Sequence, residues 1–248
     1  MIAPPRTSTL VRVAVITVLA GCALSAVTAG LIYGSVTGVG DAARRAAALQ
    51  RVHGDRPARI TRGERVARAI VAVEDKRFWE HGALDPLAIG RVVLTTLRGG
   101  ADPGGSTIAV QLAKVLYPEQ TRSFAGALQA IALAFKLEDS YPKQRILSMY
   151  LNTIYFGHGF YGVERASQGY FAREPRALSW AQATLLAGLP QAPSAFDPLR
   201  YLERAKDRQT EVLSQLVAAH ELTPAASRRV AREPLHLSKV DSRHRTLA

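Results

Sequence analysis

The stretch Val73–Gly82, VEDKRFWEHG, sets Glu74 and Asp75 directly behind the apolar run AIVAV. Ile70 and Glu74 are four residues apart, so on a helix Glu74 stands beside the apolar face rather than opposite it. Two readings are open. A helix-end acid can pair with Lys76 or Arg77, or simply be solvated. A half-buried carboxylate instead acquires a raised pKa and can serve as a general base. His81 suits a core or hydrogen-bonding role, because no second histidine stands at metal-ligand spacing.

A second stretch, GGSTIAVQLAK (Gly104–Lys114), brings two glycines and two hydroxyls to a helix start. Free backbone N–H groups and small hydroxyl donors there favour an anion. Lys114 adds a point charge, and Arg122 adds a fork that can bind phosphate bidentately. The plain alternative is a capped helix with a solvated lysine. A nucleotide P-loop is excluded, since no lysine directly follows the glycines.

A third stretch, Lys143–Phe171, scatters aromatics among glycines, as either core or a groove for sugars. Ser140–Lys143 reads S-x-x-K, the pattern of penicillin-recognising serines. The chain has no K-T-G, and Asn152 is its only asparagine, so S-D-N cannot occur and the match is chance.

These residues need helices to hold them. Thr61 and Glu64 form a capping box ahead of Val66, Ile70 and Val73, with Thr61 as the N-cap. Asp85 caps a helix that has Pro86 at its first position and Gly99 past its end. Ser106 or Thr107 opens a helix that stops before Pro118. Phe124–Glu138 is apolar on most sides and reads as a buried central helix. PKQRILSMYLN is helical. Ser179 and Gln182 make another capping box, and Glu203–His220 is an amphipathic closing helix. No strand alternation or internal repeat is legible. From Leu222 the chain is basic and without a strong pattern.

The 248 residues carry 32 Lys and Arg against 20 acids, a net charge of +12. The excess points to an anionic partner, and no motif supports nucleic acid. Cys22 is the only cysteine, so no disulfide framework can form within the chain. Val13–Tyr33 runs 21 residues without a charge, enough to span about 30 Å of hydrocarbon as a helix. LAGC, ending at Cys22, looks like a lipoprotein box. The apolar run continues past Cys22, however, and an uncleaved anchor is expected. Gly34–Gly40 is a glycine-rich joint, and Asp41–His53 a polar, alanine-rich arm whose arginines can lie near acidic headgroups. Arg6 and Arg12 precede the anchor and Arg44, Arg45, Arg51 and Arg56 follow it, so the positive-inside rule leans slightly against an external C-terminal side.

In order, EDKRFWEHGALD, GGSTIAVQLAK, KQRILSMYLNTIYFG and LLAGLPQAPSAFDP resemble the motifs of the family-51 peptidoglycan glycosyltransferases. These are the polymerase modules of monofunctional transglycosylases and class A penicillin-binding proteins. The resemblance covers about two thirds of the chain. It implies a mostly α, lysozyme-like glycosyltransferase domain with a membrane-contacting jaw, on the outer face of a bacterial membrane. The expected division is an N-terminal tail (1–12), a single transmembrane anchor (13–33), a linker (34–58), the glycosyltransferase domain (59–221) and a basic tail (222–248).

By the same resemblance Glu74 matches the catalytic glutamate. Lys114 and Arg122 match cations that bind pyrophosphate. Asp75, Phe78, His81, Ser106, Thr107 and Gln111 are implied to help hold substrate. The implied partners are lipid II, the growing glycan strand, membrane lipids and other cell-wall synthases. Divalent cation use is implied too, with no site legible in the residues. Some positions depart from the family. Its R-K-x-x-E motif falls on GALQA (Gly126–Ala130), so Ala130 replaces a second functional glutamate. Val110 and Val115 replace a glutamine and an asparagine. A pyrophosphate leaves on charge stabilisation alone, so reduced rather than abolished activity is implied. A non-catalytic binder of lipid-linked precursor is the alternative, and a lysozyme-like hydrolase a third.

Overall fold

A computed structural model describes residues 7–54, 56–90, 106–122 and 125–238, without the side chains of residues 7–10 and 13. Gly99, Gly104 and Phe124, named above, lie outside the described residues. The chain is mostly helical, as expected. Its only β pairing among the described residues is an isolated bridge between Tyr155 and Tyr161.

Helix α1, Thr7–Ser35, contains the apolar span Ala14–Ser35, long and apolar enough to cross a membrane. None of that span is buried against the rest of the chain. The glycine-rich joint after it is fastened rather than loose, with Val36 and Val39 in the core. Lys136 Nζ donates to Val36 O at 2.7 Å, and Tyr141 OH to Val39 O at 3.1 Å. Gln120 exchanges two hydrogen bonds with Thr37. Then α2, Ala42–Val52, leans on the helix Ile108–Leu116 and the Tyr117 that follows it; Asp41 accepts from Arg45 and from the buried Tyr117 hydroxyl.

The domain proper is built on α3 (Arg65–Glu74), α4 (Ile108–Leu116), α5 (Pro118–Thr121), α6 (Gly126–Ser140) and α7 (Lys143–Leu151). It continues with α8 (Val163–Phe171), a 3₁₀ turn at Pro175–Ala177, α9 (Trp180–Gly188), α10 (Leu202–Ala218) and α11 (Pro224–Arg232). α4 packs mainly on α6 and α7, whereas α3 packs on α9 and α10. The first of these seams is filled by Ile108, Leu112, Leu116, Leu133 and Leu137, and the second by Val66, Ile70, Leu185, Val212 and Leu216. Removing such apolar surface from water contributes about 25 cal/mol per Å² and holds the two seams together.

Local signals explain several helix ends. Thr107 Oγ1 accepts from Val110 N, and Pro118 stops α4. Both bonds of the Ser179–Gln182 capping box are made. Four sequence expectations need correction. α3 begins at Arg65 with Glu64 at its N-cap; Thr61 donates its backbone N–H and its hydroxyl to Glu64 Oε1, and its hydroxyl accepts no helix N–H among the described residues. The sequence placed the cap one turn early, because a capping box constrains two residues but not the helical start between them. The expected central helix is buried along one face only, with Leu128 51 % and Phe135 42 % exposed. α10 spans Leu202–Ala218 rather than 203–220. Beyond 221, α11 docks on α10, and Gln182 Nε2 donates to Leu235 O. A helix whose only buried residue is Val230, and which is otherwise alanine, serine and arginine after its proline, offers few large apolar residues to read.

Candidate functional site

Glu74 closes α3 and is half-buried. Its Oε2 accepts from Gln111 Nε2 at 2.8 Å, and Gln111 Oε1 accepts from Tyr150 OH at 2.8 Å. Burial pushes the Glu74 carboxyl above its ordinary value, and neighbouring Asp75 pushes it further. The Gln111 hydrogen bond and the charge of Arg208 act against that rise. Glu74 is thus held by one neutral donor and is not neutralised by Lys76 or Arg77. Arg77 is engaged by Asp85, whose carboxylate also accepts from Leu87 and Ala88 N–H to cap the helical turn at 86–90.

Asp75 does a different job. Its Oδ1 lies 2.6 Å from His81 Nε2, and its Oδ2 accepts from Ile108 N at 3.0 Å. That N–H is one of the unsatisfied donors at the start of α4. The bond therefore pins the end of α3 to the beginning of α4 and fixes the register that lets Gln111 meet Glu74. His81 Nδ1 is 2.7 Å from Gly82 O, and the side chains of His81 and Asp75 are 4 % and 3 % exposed.

Four of the expected substrate contacts are therefore interior. Phe78 is 0 % exposed and lies under Lys143 Nζ. Asp75 and His81 have their polar atoms occupied as described. Thr107 donates to Ala83 O at 2.7 Å. As placed, these four build the frame instead of facing a substrate. The aromatics of the third stretch are likewise mainly core: Tyr150, Phe156 and Tyr170 are fully buried. Gly157 allows that hairpin. Its φ is +87°, and a Cβ would come within 2.5 Å of Pro193 O. Lys143 of the S-x-x-K coincidence pairs with Glu138 at 2.8 Å.

The remaining expected residues sit at or near the surface. Lys114 is exposed on α4, one turn beyond Gln111 and so on the same helix face. Arg122, exposed, follows the end of α5. Neither has an ion-pair partner among the described residues. Ser106 Oγ is shut from solvent and finds no partner among the described residues. Ala130 is 0 % exposed on α6, and Val110 is buried on α4. Among the described residues no three His, Cys, Asp or Glu side chains converge, so no divalent cation site is assigned.

Sequence reasoning missed Arg208. The residue is buried on α10, its Nε donating to Gly188 O and its Nη1 to Glu211 Oε2. The signal was present. Arg208 falls on the stripe Ala205, Gln209, Val212 and Leu216, where a helix facing the core has no ordinary use for a charge.

The pattern is found elsewhere. Residues 55–217 match the family model described as Transglycosylase. Penicillin-binding protein 1A of Aquifex aeolicus is 40 % identical over 177 residues, 71 % of this chain and 24 % of its own length. Penicillin-binding protein 1F of Bacillus subtilis is 37 % identical over 182 residues, 71 % of this chain and 25 % of its own. The crystal structure of penicillin-binding protein 1A from Haemophilus influenzae is 38 % identical, with a TM-score of 0.38 over 41 % of this chain and 15 % of that one. The chain spans about a quarter of the length of the curated relatives it matches.

Proposed function

The chain belongs to the transglycosylase family, and on that premise we propose that it is a membrane-anchored peptidoglycan glycosyltransferase that polymerises lipid II. One observation carries the reading. A half-buried carboxylate of raised basicity, Glu74, is held by a neutral amide on the same helix face as Lys114, a cation unpaired among the described residues.

In the proposed reaction the 4-hydroxyl of an acceptor sugar attacks the anomeric carbon of a donor. Glu74 takes the hydroxyl proton as the new C–O bond forms. The bond from the anomeric carbon to the lipid pyrophosphate breaks with its electron pair, and the configuration inverts. Lys114 and Arg122 stabilise the charge that gathers on the departing pyrophosphate. Gln111 Nε2 holds the Glu74 carboxyl in place for that proton transfer. α1 anchors the chain in the bacterial membrane. The family supports placing the domain on the outer face, against the slight lean of the flanking arginines.

A second reading is a scaffold that binds lipid-linked precursor or glycan for other synthases. The departures at Ala130, Val110 and Val115 favour it. The purified full chain, given lipid II in detergent, separates the two. Glycan strands support the enzyme, whereas lipid II bound and returned unchanged supports the scaffold. Release of soluble muropeptides from cell wall would instead mark a hydrolase.

A further inference from the structure

We propose that Tyr150 is a positioning residue that fixes the orientation of the Gln111 amide and thereby keeps Glu74 available as a carboxylate. The inference rests on the reading of Glu74 as the base, and it concerns a residue that touches no reacting atom.

A glutamine amide has one acceptor end and one donor end, and either can face a neighbour. If the Gln111 carbonyl faced Glu74, the carboxyl could satisfy it only when protonated. If the NH₂ faces Glu74, the ionised form gains a hydrogen bond. The choice is made on the far side of the amide. Tyr150 is fully buried, and its hydroxyl hydrogen has no acceptor among the described residues except Gln111 Oε1. Leaving a buried O–H unbonded costs about 1–3 kcal/mol, so the hydroxyl must donate. That donation turns the carbonyl of Gln111 to Tyr150 and its NH₂ to Glu74. Burial, with Glu74 and Asp75 nearby, pushes the phenol well above its ordinary value, so it stays a donor at any working pH.

The other groups around Glu74 cannot set this polarity. Asp75 repels a second negative charge, and its oxygens are held by His81 and Ile108 N. Arg208 on α10 attracts the carboxylate but hydrogen-bonds elsewhere. α9 carries no ionisable side chain, and Arg176 of the 3₁₀ turn pairs with Glu174. Lys114 has no bond to Glu74. The polarity of the site therefore passes through Tyr150 and Gln111, from a residue of the third stretch to the acid of the first.

The test is a titration of the Glu74 carboxyl by NMR, on the full chain in micelles with carbon-13 glutamate, the signal assigned by its loss in Glu74→Gln. In Tyr150→Phe the freed amide can turn its carbonyl to Glu74. The midpoint should rise by about one pH unit, the size of one hydrogen bond to a charged group. Tyr170→Phe, which removes another buried hydroxyl bonded to Phe156 O at 3.0 Å, should leave the midpoint in place. An unchanged midpoint in Tyr150→Phe, or an equal shift in Tyr170→Phe, overturns the proposal. A measurement on the native chain covers failure of the variant to fold. One Gln111 side-chain NH₂ proton should shift with the Glu74 titration, and its indifference would overturn the proposal too. Polymerisation then reports separately on the base. If Glu74 is the base, the acid limb of kcat moves up with the midpoint while KM holds, and raising the pH restores the rate. If the midpoint moves and the limb does not, the orientation stands and the role of Glu74 as base fails.

Discussion

Gln111 Nε2 lies 2.8 Å from Glu74 Oε2, and this bond joins the last residue of α3 to the middle of α4. It is the only hydrogen bond to the Glu74 carboxyl among the described residues. One neutral donor is less than a buried carboxylate needs for full compensation. The function proposed for this position therefore opposes stability.

Replacing Glu74 by glutamine is expected to stabilise the fold at neutral pH. The sign follows from linkage. A carboxyl whose folded pKa is raised binds more protons in the native state, so native stability falls as pH rises from the unfolded value through the folded one. Glu74→Gln removes that penalty. Thermal unfolding should show a higher Tm for the variant at pH 7–8, with the gap closing as pH drops below about 4.5, the ordinary glutamate range.

Asp75 should behave in the opposite way. It is buried, faces His81, and holds the first turn of α4. Asp75→Ala leaves a buried imidazole and a buried N–H without their partner, a loss of about 3–5 kcal/mol. Urea unfolding should record it directly, and Tm should fall by roughly 10 °C for a domain of this size.

Lys114 and Arg122 are assigned to the leaving group, so their loss should reduce kcat more than it weakens binding of donor. Lys114→Met is expected to lower the polymerisation rate by about a hundredfold, the usual effect of removing one group that stabilises transition-state charge. Lys114→Arg should retain much of the rate. Both should leave Tm nearly unchanged, because Lys114 is exposed and unpaired among the described residues.

The joint between α1 and the domain offers a test without chemistry. Lys136, Gln120 and Tyr141 hold Val36, Thr37 and Val39. Lys136→Ala combined with Gln120→Ala should raise the rate of limited proteolysis between 36 and 40 several-fold, because cleavage follows local opening. The global unfolding midpoint should barely move.

Much of the site was legible because chemistry-bearing residues break a helical pattern at fixed spacing. Glu74 beside Ile70 was visible as an acid against an apolar face, and Lys114 as a cation on a capped helix. What was not legible depended on contacts between distant segments. His81 read as a core or hydrogen-bonding residue, but its spacing could not name Asp75 as its partner or show that Asp75 also holds Ile108 N. Tyr150 read as one aromatic among many, since sequence spacing cannot say that its hydroxyl meets Gln111, 39 residues away. The joint read only as glycine-rich, because the atoms that fasten it come from Gln120, Lys136 and Tyr141, distant in the chain.

The most direct test of the account is the initial rate of lipid II polymerisation by the full chain and by Glu74→Gln, at equal folded concentration. The account predicts glycan strands from the native chain and a rate about a hundredfold to ten-thousandfold lower in the variant, with lipid II still bound. A variant that polymerises within a few-fold of the native rate would contradict it.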